Sequence, residues 1–490
     1  MIRTKILATM GPAVRDADTL YEMFVAGADV CRLNFSHGSL DEHLQQLRMI
    51  REAAARHDTP VAVLGDLCGP KIRLGEVAER EDGGVPIAPG DTLTLQREPI
   101  TATGHTVSCT EPDVLADVKV GHRVLVEDGL LRFECVEVVD VGIRCRCLGG
   151  GTLKSRKGIN LPDSAVKMPS ITERDWECVD WAVENELDFL ALSFVRSADE
   201  LLELKRYLRG RGSEIDLVAK IEKPEAVARF DAIVAASDAI MVARGDLGVE
   251  MDVAQVPIIQ KDLIRRSQRA GKPVIVATQM LQSMIEQSTP TRAEVSDVAN
   301  AVFDGADAVM LSGETSVGRY PVRVVDQMNR VCGEVDRYLD KHPQDVVAAP
   351  MQELSEEERL NGSLARSLRD FTRQLSPRAV VVYSQAGDTA RLVSRHRLTV
   401  PVVALSADHA ALRQMALHYG TLPIEMPPPA RLRELVADAD DLLKARGLVD
   451  DGDLILLVAG NDAGDPDSLN GVIVHRVGTT LRLESQTCDE

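Results

Sequence analysis

Short β-branched apolar runs recur through the first two-thirds of this 490-residue chain, and most of them end on a polar or charged residue. In order they are Ile6–Thr9, Val30–Asn34, Val61–Asp66, Phe189–Ser193, Leu217–Glu222, Ile240–Asp246, Val274–Gln279 and Val309–Glu314. Between most of them lie segments with helical periodicity: Asp41–Arg56, Thr172–Glu184, Ala198–Leu208, Pro224–Ala236, Ile258–Ala270 and Thr291–Phe303. Thr291-Arg292-Ala293-Glu294 reads as a capping box, and Glu222-Lys223-Pro224 puts a proline in a first helical turn. Short buried strands alternating with helices specify a parallel sheet. About eight such units predict a closed (β/α)8 TIM barrel rather than an open sheet. A barrel displays its functional groups at the carboxyl ends of its strands, where Asn34, Asp66, Lys220, Glu222, Asp246, Thr278 and Glu314 fall. Charges at the ends of core strands need a partner, a ligand or solvent.

The pattern breaks between the third and fourth strands. There the helical period gives way to Gly, Pro and Val alternating with charges, as in Gly90-Asp91-Thr92-Leu93-Thr94-Leu95. This predicts a small all-β domain inserted in a barrel loop on the functional face, the natural place for a mobile lid. After Leu339 a Pro- and Glu-rich linker, His342–Glu358, leads to a fresh α/β alternation with strands at Ala379–Tyr383, Val400–Leu405 and Asp453–Ala459. The expected organisation is a barrel domain in two parts (residues 1–70 and 168–340), an inserted lid (71–167) and a C-terminal α/β domain with a parallel sheet (341–490).

Composition narrows the partners. The chain carries 56 basic against 76 acidic residues, a formal charge of −20, which argues against non-specific binding to nucleic acid or an anionic membrane. Aromatics at 3% leave little for base stacking. The 9 cysteines are mostly scattered and read as reduced thiols. The amino terminus lacks an apolar signal core, and no apolar run approaches the roughly 18 residues of a membrane span. The expected location is the cytoplasm.

The chain has no Walker-type phosphate loop and no kinase-type Gly-rich loop. It offers instead two carboxylates, a lysine and several arginines at strand ends. Lys220 and Glu222 lie two apart on one strand and share a face. Glu222 with Asp246 suits Mg²⁺, which takes one or two carboxylates and fills its shell with water and phosphate oxygens. Lys220 beside them suits a phosphoryl group or a developing oxyanion. For Lys220 and Glu222 alone, an ion pair bracing the barrel is the better explanation. Arg32, Arg73 and Asp246 at other strand ends favour a site. Arg244-Gly245-Asp246 spells a cell-adhesion tripeptide, a chance match in an acidic barrel; Gly245 there lets backbone N–H groups approach an anion. Arg32, Asn34 and Ser36 alternate in one segment, the arginine suited to phosphate and the two oxygens to a cation or a nucleotide. His37 fits packing as well as ligand contact.

These segments together resemble pyruvate kinase. Thr4-Lys5-Ile6-Leu7-Ala8-Thr9-Met10-Gly11-Pro12 is similar to that family's opening strand. Arg32-Leu33-Asn34-Phe35-Ser36-His37-Gly38, Gly69-Pro70-Lys71-Ile72-Arg73, Ala219-Lys220-Ile221-Glu222, Ala243-Arg244-Gly245-Asp246-Leu247-Gly248, Ala277-Thr278-Gln279-Met280 and Leu311-Ser312-Gly313-Glu314-Thr315 match its motifs in order. The resemblance implies Mg²⁺-dependent transfer of a phosphoryl group from phosphoenolpyruvate to ADP, giving pyruvate and ATP, the last step of glycolysis; Mn²⁺ is an alternative metal. It implies Glu222 and Asp246 as metal ligands, and Gly245, Asp246 and Thr278 around the substrate carboxylate. It implies Arg32 and Lys220 on the phosphoryl group, and Thr278 and Ser312 as a proton relay. Asn34, His37, Arg73 and Lys157 would contact the nucleotide. A homotetramer with a phosphorylated effector in the C-terminal domain is also implied.

Three departures from the family pattern matter. The effector loop, typically Thr-x-Ser-Gly-x-Thr, reads Ser384-Gln385-Ala386-Gly387-Asp388-Thr389, lacking a hydroxyl at Ala386 and adding a charge at Asp388. That predicts weak activation by sugar bisphosphate. Cys68 stands in the hinge into the lid, as a small hinge residue or an oxidisable thiol. Of the family's K⁺ ligands, Asn34, Ser36 and Asp66 are present, but Leu67 replaces a threonine and Lys71 replaces a glutamate. This predicts K⁺-independent activity with Lys71 as an internal cation and the K⁺ position vestigial. Two competing readings are a metal-dependent lyase or aldolase acting through a pyruvate enolate, and a sensor that has lost catalysis. The β-insertion, Arg73 and Lys157 oppose the first, and the intact Lys220, Glu222, Asp246 and Thr278 oppose the second.

Overall fold

The structure, a computed structural model, describes residues 2–57, 59–78, 83–164, 166, 168–342, 356–429, 431–459 and 471–479. Eight parallel strands close into a barrel: Lys5–Thr9, Val30–Asn34, Ala62–Asp66, Phe189–Leu192, Asp216–Ile221, Ala239–Ala243, Val274–Ala277 and Ala308–Leu311. Leu7, Leu64, Val218, Met241, Ile275 and Met310 fill the interior. Their neighbours along each strand, such as Ile6, Val63, Leu217 and Val242, face the helices. This period-two division makes each run continuously apolar, because both faces are buried. The capping box at Thr291 and the helical start at Pro224 form as the sequence predicts.

The fourth, fifth and seventh strands stop one or two residues short of the expected runs, at Leu192, Ile221 and Ala277, and two others turn into helix. The sixth strand stops at Ala243, and Arg244–Glu250 is a short helix with Asp246 in its first turn. The eighth stops at Leu311, and Glu314 lies in a short helix, Gly313–Ser316. Pro224–Ala236 is two helices, Pro224–Ala228 and Phe230–Ala236, broken where Arg229 leaves helical geometry at ψ 20°.

The amino ends of the strands carry a repeat not evident from the alternation alone. Asp29, Asp188, Asp238 and Asp307 each precede a strand, and each accepts the first N–H groups of an adjoining strand: Ile6, Val63, Leu217 and Val274 respectively, at 2.7–2.9 Å. A lateral carboxylate there satisfies a backbone donor that the barrel ladder leaves open.

Between the third and fourth strands lies a six-stranded sheet around its own core, which includes Leu93, Phe133 and Ile143. The C-terminal sheet has five strands. Four are parallel, as expected, and an edge strand that the sequence reading did not place, Gly471–Arg476, runs antiparallel. Glu356–Leu375 is a helix, so the expected linker stops short of Glu358; its residues 343–355 lie outside the described residues. The C-terminal domain docks on the barrel's amino end. Arg413 meets Asp188 at 2.6 Å, Arg397 meets Asp307 at 3.1 Å, and Ala416 and Leu417 cap the interior cluster. Burial pushes both aspartate pKa values up, against the pull of those arginines.

Candidate active site

At the opposite end, the fifth strand delivers Lys220 into a pocket of oxygens. Its Nζ lies 3.1 Å from Asp66 Oδ1 and 3.0 Å from Glu222 Oε1, and donates to Ser193 Oγ at 2.6 Å. Arg32 Nε takes the other Asp66 oxygen at 2.6 Å, and its Nη1 donates to Thr9 Oγ1. Burial works against charge on Lys220, but Asp66 and Glu222 outweigh it and hold its pKa above the ordinary lysine value. Asp66 is likewise buried, yet Lys220 and Arg32 hold its pKa below the ordinary aspartate value. Glu222 goes the other way. Burial pushes its pKa up, Lys220 draws it down, and the Asp246 charge adds to the rise. Ser193, at a predicted strand end but not singled out from sequence, anchors the lysine and donates to the Leu67 carbonyl at 2.7 Å. Phe194 turns to φ 55°, and its N–H donates to Glu222 Oε2 at 2.7 Å.

Around this hub the expected residues converge. Thr278 and Gln279 sit at φ 69° and 56°, a costly left-handed pair just past the seventh strand. Arg244 holds this turn, with Nη2 donating to the Thr278 carbonyl at 2.9 Å and an ion pair to Asp297 at 2.7 Å. Arg244, which the sequence places in a family motif and a chance tripeptide but gives no role, is therefore a structural member of the site. The Gly245 N–H donates to Thr278 Oγ1 at 2.7 Å. A Cβ at Gly245 would lie 3.2 Å from that hydroxyl, so a side chain there would crowd it. Ser312 Oγ is buried with no hydrogen-bond partner among the described residues. Glu314 is a brace. Its oxygens accept the N–H groups of Leu281 and Ser312, which explains a strand-end charge without a ligand.

Glu222 and Asp246 are the carboxylates available for a metal. Among the described residues, no group of three or more His, Cys, Asp or Glu could hold one. Two neighbouring carboxylates, one with its pKa raised in part by the other's charge, suit a cation that completes its shell with substrate and water oxygens.

A cleft of about 850 Å³ runs between the β-insertion and the barrel, lined by His37, Lys71, Arg73, Lys157, Lys223 and Asp246 among others. Burial, then Lys71, Arg73 and Arg32, depress the His37 pKa, as expected in a local positive field on a chain of charge −20. Arg73 Nη1 donates to the Arg156 carbonyl at 3.0 Å, and Lys157 pairs with Glu127 at 2.6 Å. Lys71 Nζ donates to Ser36 Oγ at 3.1 Å, while the Ser36 N–H donates to Asn34 Oδ1 at 3.2 Å. In the C-terminal domain, Ser384 is buried, Gly387 takes φ 91° ahead of the helix Asp388–Ser394, and Thr389 is buried. Arg391 pairs with Asp388 at 2.5 Å, so the extra charge in this loop is partly offset.

Comparison with known proteins agrees over nearly the whole length. The family model of the pyruvate kinase barrel domain matches residues 1–325, and that of the pyruvate kinase alpha/beta domain matches residues 362–475. The pyruvate kinase of Corynebacterium glutamicum is 40% identical over 481 residues, covering 98% of this chain and 99% of its own. That of Mycobacterium tuberculosis is 39% identical over 476 residues, covering 97% and 98%. A crystal structure of a pyruvate kinase from Cryptosporidium parvum superposes with a TM-score of 0.88 at 33% identity, covering 97% of this chain and 96% of that one. The barrel, its ordered strand-end motifs and these full-length matches lead to one conclusion: the chain belongs to the pyruvate kinase family.

Proposed function

We propose that the cluster around Lys220 is the centre at which the chain moves a phosphoryl group from phosphoenolpyruvate to ADP. The observation that carries this is a buried lysine fixed by Asp66, Glu222 and Ser193, with Arg32 beside it and Asp246 within electrostatic reach. Phosphoryl transfer asks mainly for positioning and charge neutralisation, which a pre-set cation supplies without reorganising. Glu222 and Asp246 would hold Mg²⁺, which when bound supplies charge neutralisation at the phosphoryl and enolate oxygens. Arg32 and Lys220 clamp the phosphoryl group. The bond between phosphorus and the enol oxygen breaks, a terminal ADP oxygen bonds to phosphorus, and the electron pair stays on the enol oxygen as an enolate. Lys220 stabilises that enolate. Thr278 and Ser312 relay a proton to the methylene carbon, giving pyruvate. The backbone at Gly245 and Asp246, with Thr278, holds the substrate carboxylate.

Asn34, His37, Arg73 and Lys157 receive the nucleotide, and residues 71–167 act as a lid over it. Of its two connections, Gly69-Pro70 is described; Lys167 lies outside the described residues. The K⁺ position is vestigial in this reading, because Lys71 already brings an ammonium to Ser36, and both Asp66 oxygens are engaged by Arg32 and Lys220. Leu67 offers no side-chain oxygen there. A cytoplasmic homotetramer with a phosphorylated effector near Ser384, Gly387 and Thr389 completes the proposal. Among the described residues, no helix is long and apolar enough to cross a membrane. A lactate-dehydrogenase-coupled assay with phosphoenolpyruvate, ADP and Mg²⁺, with ATP measured separately, tests the reaction. Absence of ATP formation from phosphoenolpyruvate and ADP would defeat this reading and leave the lyase and sensor readings; pyruvate released with inorganic phosphate instead of ATP would mean hydrolysis.

A further inference from the structure

Glu250 ends the short helix whose first turn carries Gly245 and Asp246. It is almost fully buried, yet it does not sit in the cluster around Lys220. Its Oε1 accepts two donors, Lys223 Nζ at 2.8 Å and Asn160 Nδ2 at 2.9 Å. Lys223 directly follows Glu222 and also lies 5.8 Å from the centre of the Phe194 ring, whose backbone N–H holds Glu222. Asn160 belongs to the β-insertion, on a strand paired with Arg123–Val126. Glu250 Oε2 is buried and has no hydrogen-bond partner among the described residues. A buried carboxylate oxygen left open is costly and calls for a donor. Arg123 is a cation of the insertion whose charge acts on Glu250. It is now held by Asp163 at 2.7 and 3.0 Å.

We propose that Glu250 is a positioning residue that latches the lid, through Asn160 and on closure Arg123, to the helix bearing Gly245 and Asp246. The inference rests on the lid reading above. Glu250 does not line the cleft, whereas Asn160 and Lys223 do. It acts through the two residues next to it in the network, Asn160 on the lid side and Lys223 on the Glu222 side. Lid position and the setting of both carboxylates would then be linked by one buried side chain. A closed lid would favour the substrate-ready arrangement, and an open one would relax it.

The test uses the full-length enzyme with three variants: Asn160→Asp, Glu250→Gln, and the two combined. Asn160→Asp alone places like charges together. In the combined variant the amide introduced on the helix donates to the carboxylate introduced on the lid, so the contact is restored with its polarity reversed. A fluorescence donor and acceptor on exposed lid and barrel positions report closure when Mg-ADP and oxalate are added. Steady-state kinetics report KM for ADP and for phosphoenolpyruvate. In Asn160→Asp, the closed fraction should fall and KM for ADP should rise about tenfold, the factor for ~1.4 kcal/mol. KM for phosphoenolpyruvate should move less, and the combined variant should recover most of both losses. A wild-type distance that ligands leave unchanged overturns the lid reading and the latch with it. If wild type closes while Asn160→Asp closes equally well and keeps KM for ADP within about twofold, the latch alone is overturned. Loss in Asn160→Asp without recovery in the pair also overturns it, since that is the mark of a merely structural lesion. Should Glu250→Gln fold poorly, the Asn160→Asp closure and KM readouts decide alone.

Discussion

Replacing Lys220 with methionine removes an ammonium while keeping the length and most of the packing of the side chain. Three contacts disappear together: those to Asp66 at 3.1 Å, Glu222 at 3.0 Å and Ser193 at 2.6 Å. Asp66 keeps Arg32 at 2.6 Å, so the uncompensated charge falls on Glu222, which retains the Phe194 N–H. Breaking a buried pair costs about 3–5 kcal/mol when the partner must stay charged. Here Glu222 has an escape. Burial and the Asp246 charge already push its pKa up, and losing Lys220 removes the main force holding it down. A folded-state pKa above the unfolded one means that the folded protein binds more protons, so stability falls as pH rises. The variant's melting deficit against wild type should therefore be larger at pH 8 than at pH 5. Catalysis should suffer at both, with kcat lower by ~10²–10³ at saturating Mg²⁺, the scale for losing one pre-organised charge at an oxyanion. KM for phosphoenolpyruvate should move less, because the contact strengthens in the transition state. Thermal melts across that pH range and a coupled assay check both halves. A variant keeping more than about a tenth of wild-type kcat, or a deficit that grows toward low pH, would refute the reasoning.

Lys71→Glu should cut activity measured with a bulky organic cation in place of K⁺, and added K⁺ should partly restore it; wild type should gain less than about tenfold from K⁺. For His37, phosphate charge from bound ADP should offset Lys71, Arg73 and Arg32 and raise the depressed pKa, seen as an upward shift of its imidazole titration by NMR. Fructose 1,6-bisphosphate should activate poorly at sub-saturating phosphoenolpyruvate. Because Arg391 partly offsets Asp388, the missing hydroxyl at Ala386 carries that expectation, and Ala386→Ser should improve the response. Small-angle scattering should show compaction when Mg-ADP and a substrate analogue are added together.

The barrel was legible because its strands are buried on both faces and need no alternation to be seen. Asn34, Asp66, Lys220 and Thr278 fall at or just beyond strand ends, as the pattern requires. The misses have physical reasons. Asp246 and Glu314 continue apolar runs in sequence, but the backbone turns into short helices before reaching them, and nothing in the alternation marks that turn. The strand Thr421–Glu425 escaped notice because Pro423 interrupts it; a proline is tolerated there because the strand lies at the sheet edge. Arg244 holds the Thr278 backbone and Ser193 holds the Lys220 ammonium, supporting roles that chemistry by residue type passes over.

Position at a strand end is thus a weak guide to function, and the set of partners is a stronger one. Asp29, Asp188 and Asp307 lie at the barrel's amino end and look as chemically promising as Asp66. Each, however, accepts a neighbouring strand's N–H and meets Lys5, Arg413 or Arg397. Glu314 likewise spends both oxygens on backbone donors. Their charge is consumed by the fold. Ser312 keeps a buried hydroxyl with no partner among the described residues, and Glu222, which shares Lys220 with Asp66, has the carboxylate of Asp246 as its other charged neighbour. Two carboxylates set beside each other at the carboxyl end, against aspartates each matched to its own cation at the amino end, separate the site from the scaffold. Glu250 extends the argument, since its open oxygen lies where the lid, rather than a substrate, can complete it.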